Sequence, residues 1–486
     1  MRHSRPLPSG DKRVLFLLIV HLLFLPWALG STNAWSQVTS LVLATIGFGA
    51  ALWARPDDGR RTTDVGLQSP KREIPPATAL RRLLKFPPFW LGLALLGYIA
   101  IQALNPSWRY TTDGKFWWLV PVPNISWLPT SVAAPFERFG MGRQFAIYAA
   151  AWLTVCTVWV GLTRRRSFTI LLNALAANAL VLVLVGFFFR LTQKTPDQLL
   201  WLERKAGAIP FASFIYKNHA GAYLALMAVV CLALGARHYE RALKEHARSS
   251  PALLYVLGAI GLLFAVVFTY SRGGTGLLGA YLLGAAAVFG IHRYFSRTSS
   301  TTPRVVTFTV AGMVAFVVIF AVAQLDYRRV VHRFEQLADP EHKDVSVSQR
   351  LEANNASLDM LAYTWPRGVG AGGFSYIYPQ FIQRFPASYK GGQLFWLHAH
   401  NDWLEFPIEL GVVGVALIAA GGVWWLVQLG RSRIWRYLPA LLLALGLLQT
   451  LAHASFDFVF QNPAVLVTWL VLAVVAVRYA ERQSET

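Results

Sequence analysis

The chain has 486 residues, a formal net charge of +21, 55% hydrophobic residues and only 14% charged ones. A soluble domain carries about a quarter charged residues, so this composition, with mean hydropathy +0.43, argues against a soluble fold. The apolar residues come in unbroken blocks rather than alternating with polar ones, which argues against a β-barrel.

Each block is long enough for a membrane-crossing helix, which needs roughly 20 residues. Twelve are predicted, near 13–30, 35–53, 87–104, 143–163, 168–190, 218–236, 251–270, 273–291, 305–324, 403–427, 437–453 and 463–479. The predicted fold class is an all-α polytopic membrane protein of about 12 transmembrane helices with a large periplasmic loop domain. Four regions follow: 1–163, N-terminal helices with a linker and an aromatic loop; 164–324, central helices; 325–402, the loop domain; and 403–486, C-terminal helices. The first block resembles a signal peptide, ending Leu29-Gly30-Ser31-Thr32-Asn33-Ala34. Because it runs directly into a polytopic pattern, a retained first helix is expected.

With the N-terminus cytoplasmic, segments 1–13, 54–86, 164–166, 237–250, 292–304, 428–436 and 478–486 face inward. They hold more than half of the 45 Lys and Arg residues, Arg164-Arg165-Arg166 among them. Short inward loops rich in Lys and Arg are the positive-inside pattern. Topology therefore accounts for the basic charge, and nucleic acid is not an expected partner. The expected location is the bacterial cell inner membrane, with both termini cytoplasmic and any chemistry on the periplasmic side.

In chain order, 54–86 is rich in Arg, Pro and Asp and reads as a disordered linker against anionic lipid. Segment 105–142 is dense in Trp108, Tyr110, Trp117, Trp118 and Trp127. Such residues form interfacial belts; a sugar-stacking platform is the alternative. Cys156 and Cys231 fall in predicted spans and read as buried apolar thiols. Segment 191–217 leads to Tyr216-Lys217-Asn218-His219 at the mouth of a span. Ser271-Arg272-Gly273-Gly274 is a tight outward hairpin with an arginine at its tip, suited to a phosphate at headgroup depth.

The longest outward loop, 325–402, contains Ser346-Val347-Ser348-Gln349, which has capping-box spacing. A helix is predicted from there to Trp365-Pro366, with Arg350 in its first turn, where helix N–H groups reinforce anion binding. Gly368-Val369-Gly370-Ala371-Gly372-Gly373 matches the dinucleotide fingerprint by letter only, since no βαβ unit surrounds it. It reads as a flexible turn admitting a bulky ligand. His398-Ala399-His400-Asn401-Asp402 precedes the tenth span; its His-x-His spacing gives no third metal ligand, while a histidine there suits a general base. His453-Ala454-Ser455-Phe456-Asp457 reads as a hydrogen-bonded pair at the last hairpin. No Asp-x-Asp motif, Walker loop or nucleophile elbow is present, and deep intramembrane carboxylates, the mark of coupled transport, are scarce.

These residues resemble the O-antigen ligase and polymerase family of bacterial membrane glycosyltransferases over roughly 165–475. The resemblance rests on the Ser271-Arg272-Gly273-Gly274 hairpin, the helix carrying Arg350, Pro366 followed by Gly368-Val369-Gly370, and His400-Asn401 followed after nine residues by Gly411-x-x-Gly414. It implies a GT-C-like fold and a metal-independent, inverting transfer of glycan from an undecaprenyl diphosphate carrier, with no cofactor. By resemblance Arg272 and Arg350 bind the diphosphate and His400 is the catalytic base. Lys217 is a further candidate for the diphosphate, and Ser271, Gly273, His398, Asn401, Asp402 and Asn218 are supporting candidates. The expected partners are a lipid-linked oligosaccharide or polysaccharide donor and a glycan, lipid or protein acceptor. Ligase, polymerase and protein O-oligosaccharyltransferase remain open, as does a transporter from a different class. Lys217-Asn218-His219 departs from the family's Asn-x-Asn-like run, and the long aromatic loop lies outside the resemblance, leaving the acceptor open.

Overall fold

A computed structural model describes residues 7–53, 77–192, 199, 210–247, 249–295, 345–389 and 395–481. The predicted block 305–324, most of the linker 54–86, and parts of segments 191–217, 292–304 and 325–402 lie outside the described residues.

Eleven of the twelve expected blocks coincide with helices: α1 (Ser9–Trp27), α2 (Ala34–Trp53), α4 (Pro87–Leu104), α5 (Met141–Gly161), α6 (Arg165–Thr192), α7 (Lys217–Glu245), α8 (Ala252–Phe268), α9 (Arg272–Phe295), α11 (Asp402–Arg431), α12 (Leu438–His453) and α13 (Pro463–Glu481). A short α3 (Ala77–Leu84) precedes α4, and α10 (Val345–Thr364) belongs to the long loop. Among the described residues, eight of these helices are long and apolar enough to cross a membrane. The chain is a polytopic, predominantly helical membrane protein.

The centre of the bundle is α7, buried along almost its whole apolar length and packed by α6, α8 and α12. Bilayer tails are as apolar as leucine, so close packing of small residues, not a hydrophobic gain, holds such helices together. The sequence supplies them. A Cβ on Gly221 would stand 2.9 Å from that of Ser271, and one on Gly446 would overlap Val229.

Polar side chains mark the two ends of the bundle. At one end the Asp11 carboxylate accepts from the Thr163 and Arg164 N–H groups and the Ser167 hydroxyl, covering the free N–H groups ahead of α6. Arg165 lies over the Tyr437 and Tyr479 rings there. All of these residues lie in or beside segments whose basic charge predicts an inward face. Lys217, Arg272, His400 and Asp457 stand at the opposite ends of the same helices.

The aromatic segment is not helical. It forms a three-stranded sheet ordered β2-β1-β3, with β1 (Pro106–Thr112) antiparallel to β2 (Trp117–Pro121) and parallel to β3 (Ser131–Ala133). Trp108, Tyr110 and Trp117 turn inward onto Tyr376 and the buried face of α10. Three of the five aromatic residues thus pack, partly buried, against the apolar cluster that holds Tyr376 and the buried face of α10. Trp118 and Trp127 stay exposed.

α11 runs 30 residues, about 45 Å at 1.5 Å per residue, against a hydrocarbon core of about 30 Å. It breaks at Gly411, whose φ of 59° and ψ of −166° leave the helical region. The break frees backbone groups that the glycine-rich turn takes up. Val412 donates to Pro366 O at 2.8 Å, Val369 to Ile408 O at 2.9 Å and Gly370 to Glu409 O at 2.9 Å. The turn was expected to make room for a ligand, but the room is filled by the chain's own backbone. A Cβ on Gly368 would come within 3 Å of the Gly411 nitrogen, and one on Gly372 within 3 Å of Gly140.

Candidate active site

His400 occupies the turn leading into α11, with φ of 55°, a backbone conformation that costs a non-glycine residue free energy unless its surroundings impose it. Glu405 supplies much of that constraint. One carboxylate oxygen meets His398 Nδ1 at 2.7 Å and the other accepts from the Ala399 N–H at 2.8 Å. Asn401 caps α11, its side-chain oxygen accepting from the Trp403 N–H at 3.0 Å, a task for which Asn, Ser and Asp are preferred. Asp402 ties the turn to the last hairpin: its N–H donates to Ala454 O at 2.9 Å and its carboxylate accepts from the Phe460 N–H at 2.9 Å. His398 is buried beneath the turn, stacked on Phe458. It supports the turn through Glu405 and does not reach the cleft.

The His400 side chain keeps 22% of its surface exposed, and its Nδ1 lies 3.8 Å from an Asp457 oxygen. That separation exceeds a hydrogen bond, and Nδ1 has no hydrogen-bond partner among the described residues. Phe458 and Trp396 present their edges to the ring. Burial, then the charge of Arg350, lowers the His400 pKa to about 3, so the imidazole is neutral at pH 7. Burial pushes the Asp457 carboxyl up to about 6, opposed by Arg350 and by the Phe458 N–H.

Asp457 stands beside His400 rather than in the pair expected of it at the last hairpin. The expected pairing with His453 does not form. Asp457 accepts instead from the Asn218 side-chain amide and from the Phe458 N–H, while His453 Nε2 has no hydrogen-bond partner among the described residues. The Asn218 amide also donates to the Tyr216 hydroxyl at 2.8 Å. Burial and the Asp457 charge hold that hydroxyl well above the usual phenol range. The signal lay in the sequence twice over, as an acidic residue at an outward hairpin and a polar triplet opening a span.

The cations arrive from three elements. Arg350 donates to Phe456 O at 3.3 Å and also hydrogen-bonds Tyr216. Its charge acts on His400, Asp457, His453 and Lys217. α10 begins at Val345 among the described residues, so Arg350 stands in its second turn. The expected support from the helix N-terminal N–H groups is therefore replaced by placement beside the hairpin. Arg272 opens α9, exposed at its first position, and its charge acts on Lys217. Ser271 caps that helix, its hydroxyl accepting from the Gly274 N–H at 3.3 Å. Gly273 leaves its space to the Phe456 ring, so the two glycines serve packing and capping rather than offering free N–H groups. Lys217, Asn218, Arg272, Arg350, His400 and Asp457 thus converge at one end of the bundle. Among the described residues, no group of three or more His, Cys, Asp or Glu is gathered to hold a metal ion.

Residues 257–419 match the family model described as O-antigen ligase, a stretch that includes Arg272, Arg350, His400, Gly411 and Gly414. Lys217, Asn218 and Asp457 lie outside it. No curated protein matches the chain. Over that stretch, which contributes Arg272, Arg350 and the His400 turn to the cleft, the chain is similar to the O-antigen ligase family.

Proposed function

We propose that the chain is an inverting, metal-independent glycosyltransferase that moves a glycan from a polyprenyl diphosphate carrier to an acceptor hydroxyl at the periplasmic face of the bacterial inner membrane. The family implies a glycosyltransferase-like enzyme acting on lipid-linked glycans. The observation that carries the finer reading is the convergence of Arg350, Arg272 and Lys217 on the pair His400–Asp457.

The anomeric carbon of such a donor is already activated, because its leaving group is a diphosphate. As the bond from C1 to the phosphate oxygen breaks, negative charge grows on that oxygen, and preorganised cations stabilise it. The acceptor oxygen attacks C1 from the opposite side and its proton passes to His400. Nδ1 of His400 faces Asp457, so Nε2 is the nitrogen for the incoming hydroxyl, and Asp457 stabilises the imidazolium that results.

His400 is a weak base chiefly because it is buried, and the charge of Arg350 weakens it further. A diphosphate bound to Arg350 removes that repulsion, so the arrival of donor raises the proton affinity of His400. Base strength is thereby coupled to donor occupancy, which limits futile chemistry in an empty site.

Purified protein in nanodiscs, supplied with a lipid-diphosphate glycan and candidate acceptors, tests the reading by release of the carrier diphosphate. If no glycan leaves the carrier with any acceptor, while vesicles containing the protein show glycan flux, the enzyme reading fails in favour of a transporter. Mass analysis of surface glycoconjugates from cells lacking the protein separates the acceptor classes. Loss of chain length indicates a polymerase, unattached full-length glycan a ligase, and unglycosylated protein an O-oligosaccharyltransferase.

A further inference from the structure

α10 has three distinct faces. Ala353, Ala356, Ser357 and Met360 are buried in the outward core, and the Tyr378 hydroxyl donates to Ala353 O at 3.1 Å. A polar flank carries Asp359, which faces Arg384 at 3.8 Å. The third face holds Leu351, Asn355, Leu358, Ala362 and Trp365, which at 3.6 residues per turn fall within about 80° of one another over about 21 Å of helix. Leu351, Leu358 and Trp365 are 60%, 50% and 47% exposed, and this face carries no charged residue. A stripe of that length and composition in water would be a standing liability.

We propose that this stripe lies in the outer-leaflet interface of the bilayer, making α10 an in-plane amphipathic helix rather than a water-borne part of the roof. Two observations give the partner as lipid. Trp365 and Pro366 run directly into Val412 through the bond from Val412 N–H to Pro366 O at 2.8 Å. Val412 and Val413 are exposed at the head of the spanning part of α11, where exposed valine meets acyl chains, so the stripe continues a lipid-facing surface. At the same corner, Arg367 O accepts from the Tyr98 hydroxyl at 3.2 Å. Tyr98 lies inside the membrane-crossing helix α4, so this end of α10 is at bilayer depth. A helix with one apolar exposed face and a charged flank is the form that settles at the headgroup–acyl boundary.

Spin labels on single cysteines test the placement, in a Cys156→Ala, Cys231→Ala background of the full chain in lipid nanodiscs. Leu358→Cys and Ala362→Cys probe the stripe, Asp359→Cys the flank, and Val413→Cys serves as the lipid-facing reference. Labels on the stripe should favour collision with oxygen over a water-soluble nickel chelate much as the reference does, while the Asp359→Cys label should reverse that preference by roughly an order of magnitude. The proposal is overturned if the nickel chelate reaches 358 as freely as 359. It is equally overturned if the label at 358 is immobile and shielded from both reagents, which would mean that protein covers the stripe. Should Leu358→Cys fail to accumulate, Leu351→Cys carries the same test.

Discussion

Asp457→Asn separates function from folding at this site. The carboxyl is buried, with its pKa raised to about 6 from an ordinary 3.8. The folded chain therefore binds the proton more tightly than the unfolded chain does. Stability contributed by this group is highest at low pH, declines as pH rises from about 3.8 through about 6, and does not return above that. At pH 7 keeping the carboxylate ionised costs roughly 3 kcal/mol, at 1.36 kcal/mol per pKa unit. An amide at this position removes that cost and still accepts from Asn218 through its oxygen, while leaving its own N–H groups to be satisfied, at about 1–3 kcal/mol. Asp457→Asn should then be no less stable than the parent at pH 7, and up to about 2 kcal/mol more stable. Glycan transfer should nevertheless fall by about 100-fold or more, because the imidazolium loses its counter-charge. In the parent, transfer should decline as pH drops through about 6, and the variant should lack that step. Thermal unfolding in nanodiscs across pH 5–8, paired with carrier-diphosphate release, measures both. A variant distinctly less stable than the parent, with transfer intact, would refute the electrostatic reasoning.

The cations and the turn give further expectations. Arg272→Ala and Arg350→Ala should each lower transfer by about 100-fold or more at unchanged membrane abundance, and full turnover in both would remove the diphosphate assignment. His400→Ala should lose transfer while keeping donor binding, measured by retention of labelled lipid-diphosphate glycan; full activity would reduce His400 to a structural role. Gly411→Ala should lower the unfolding temperature, since φ is +59° and the new Cβ would lie within 3 Å of the Arg367 backbone, a strain of about 1–3 kcal/mol. Asn401→Ala should cost about 1 kcal/mol of stability while Asn401→Ser costs much less, because a hydroxyl also caps a helix.

The spans were legible because a hydrocarbon solvent permits little else: every backbone N–H and C=O must be paired within the segment. Arg272 stood out because short outward hairpins are otherwise poor in Lys and Arg, whereas Arg350, in a loop that also holds Arg367 and Arg384, stood out through the resemblance. Asp457 was hidden by distance. Its amide partner, Asn218, is 239 residues away, whereas the nearby His453 offered a plausible local partner that the fold does not use. The sheet was hidden by composition. Trp108, Tyr110 and Trp117 suit a membrane belt, a sugar platform or a small core equally well, and only the partner Tyr376 decides among them. The glycine run misled because a glycine required by an approaching backbone looks the same in sequence as one required by a ligand. What approaches Gly368 is the broken turn of α11, and what approaches Gly370 is the chain at Thr130 and Ser131.

The two halves of the candidate site are held very differently, and that bears on how it would work. His400 and Asp457 are locked to each other before any donor arrives. Asp402 bridges their two segments with the bonds to Ala454 and Phe460, and Glu405 fixes the turn from beneath. Arg272 and Arg350 stand on separate helices, α9 and α10, so their spacing is not dictated by one rigid element. Binding a diphosphate needs cations that can close on two phosphates, whereas proton transfer needs a base already in line. A base held within its own turn and cations carried on separate helices meet both demands. It also means that donor binding need not rebuild the base: neutralising Arg350 removes the part of the suppression at His400 that its charge adds to that of burial.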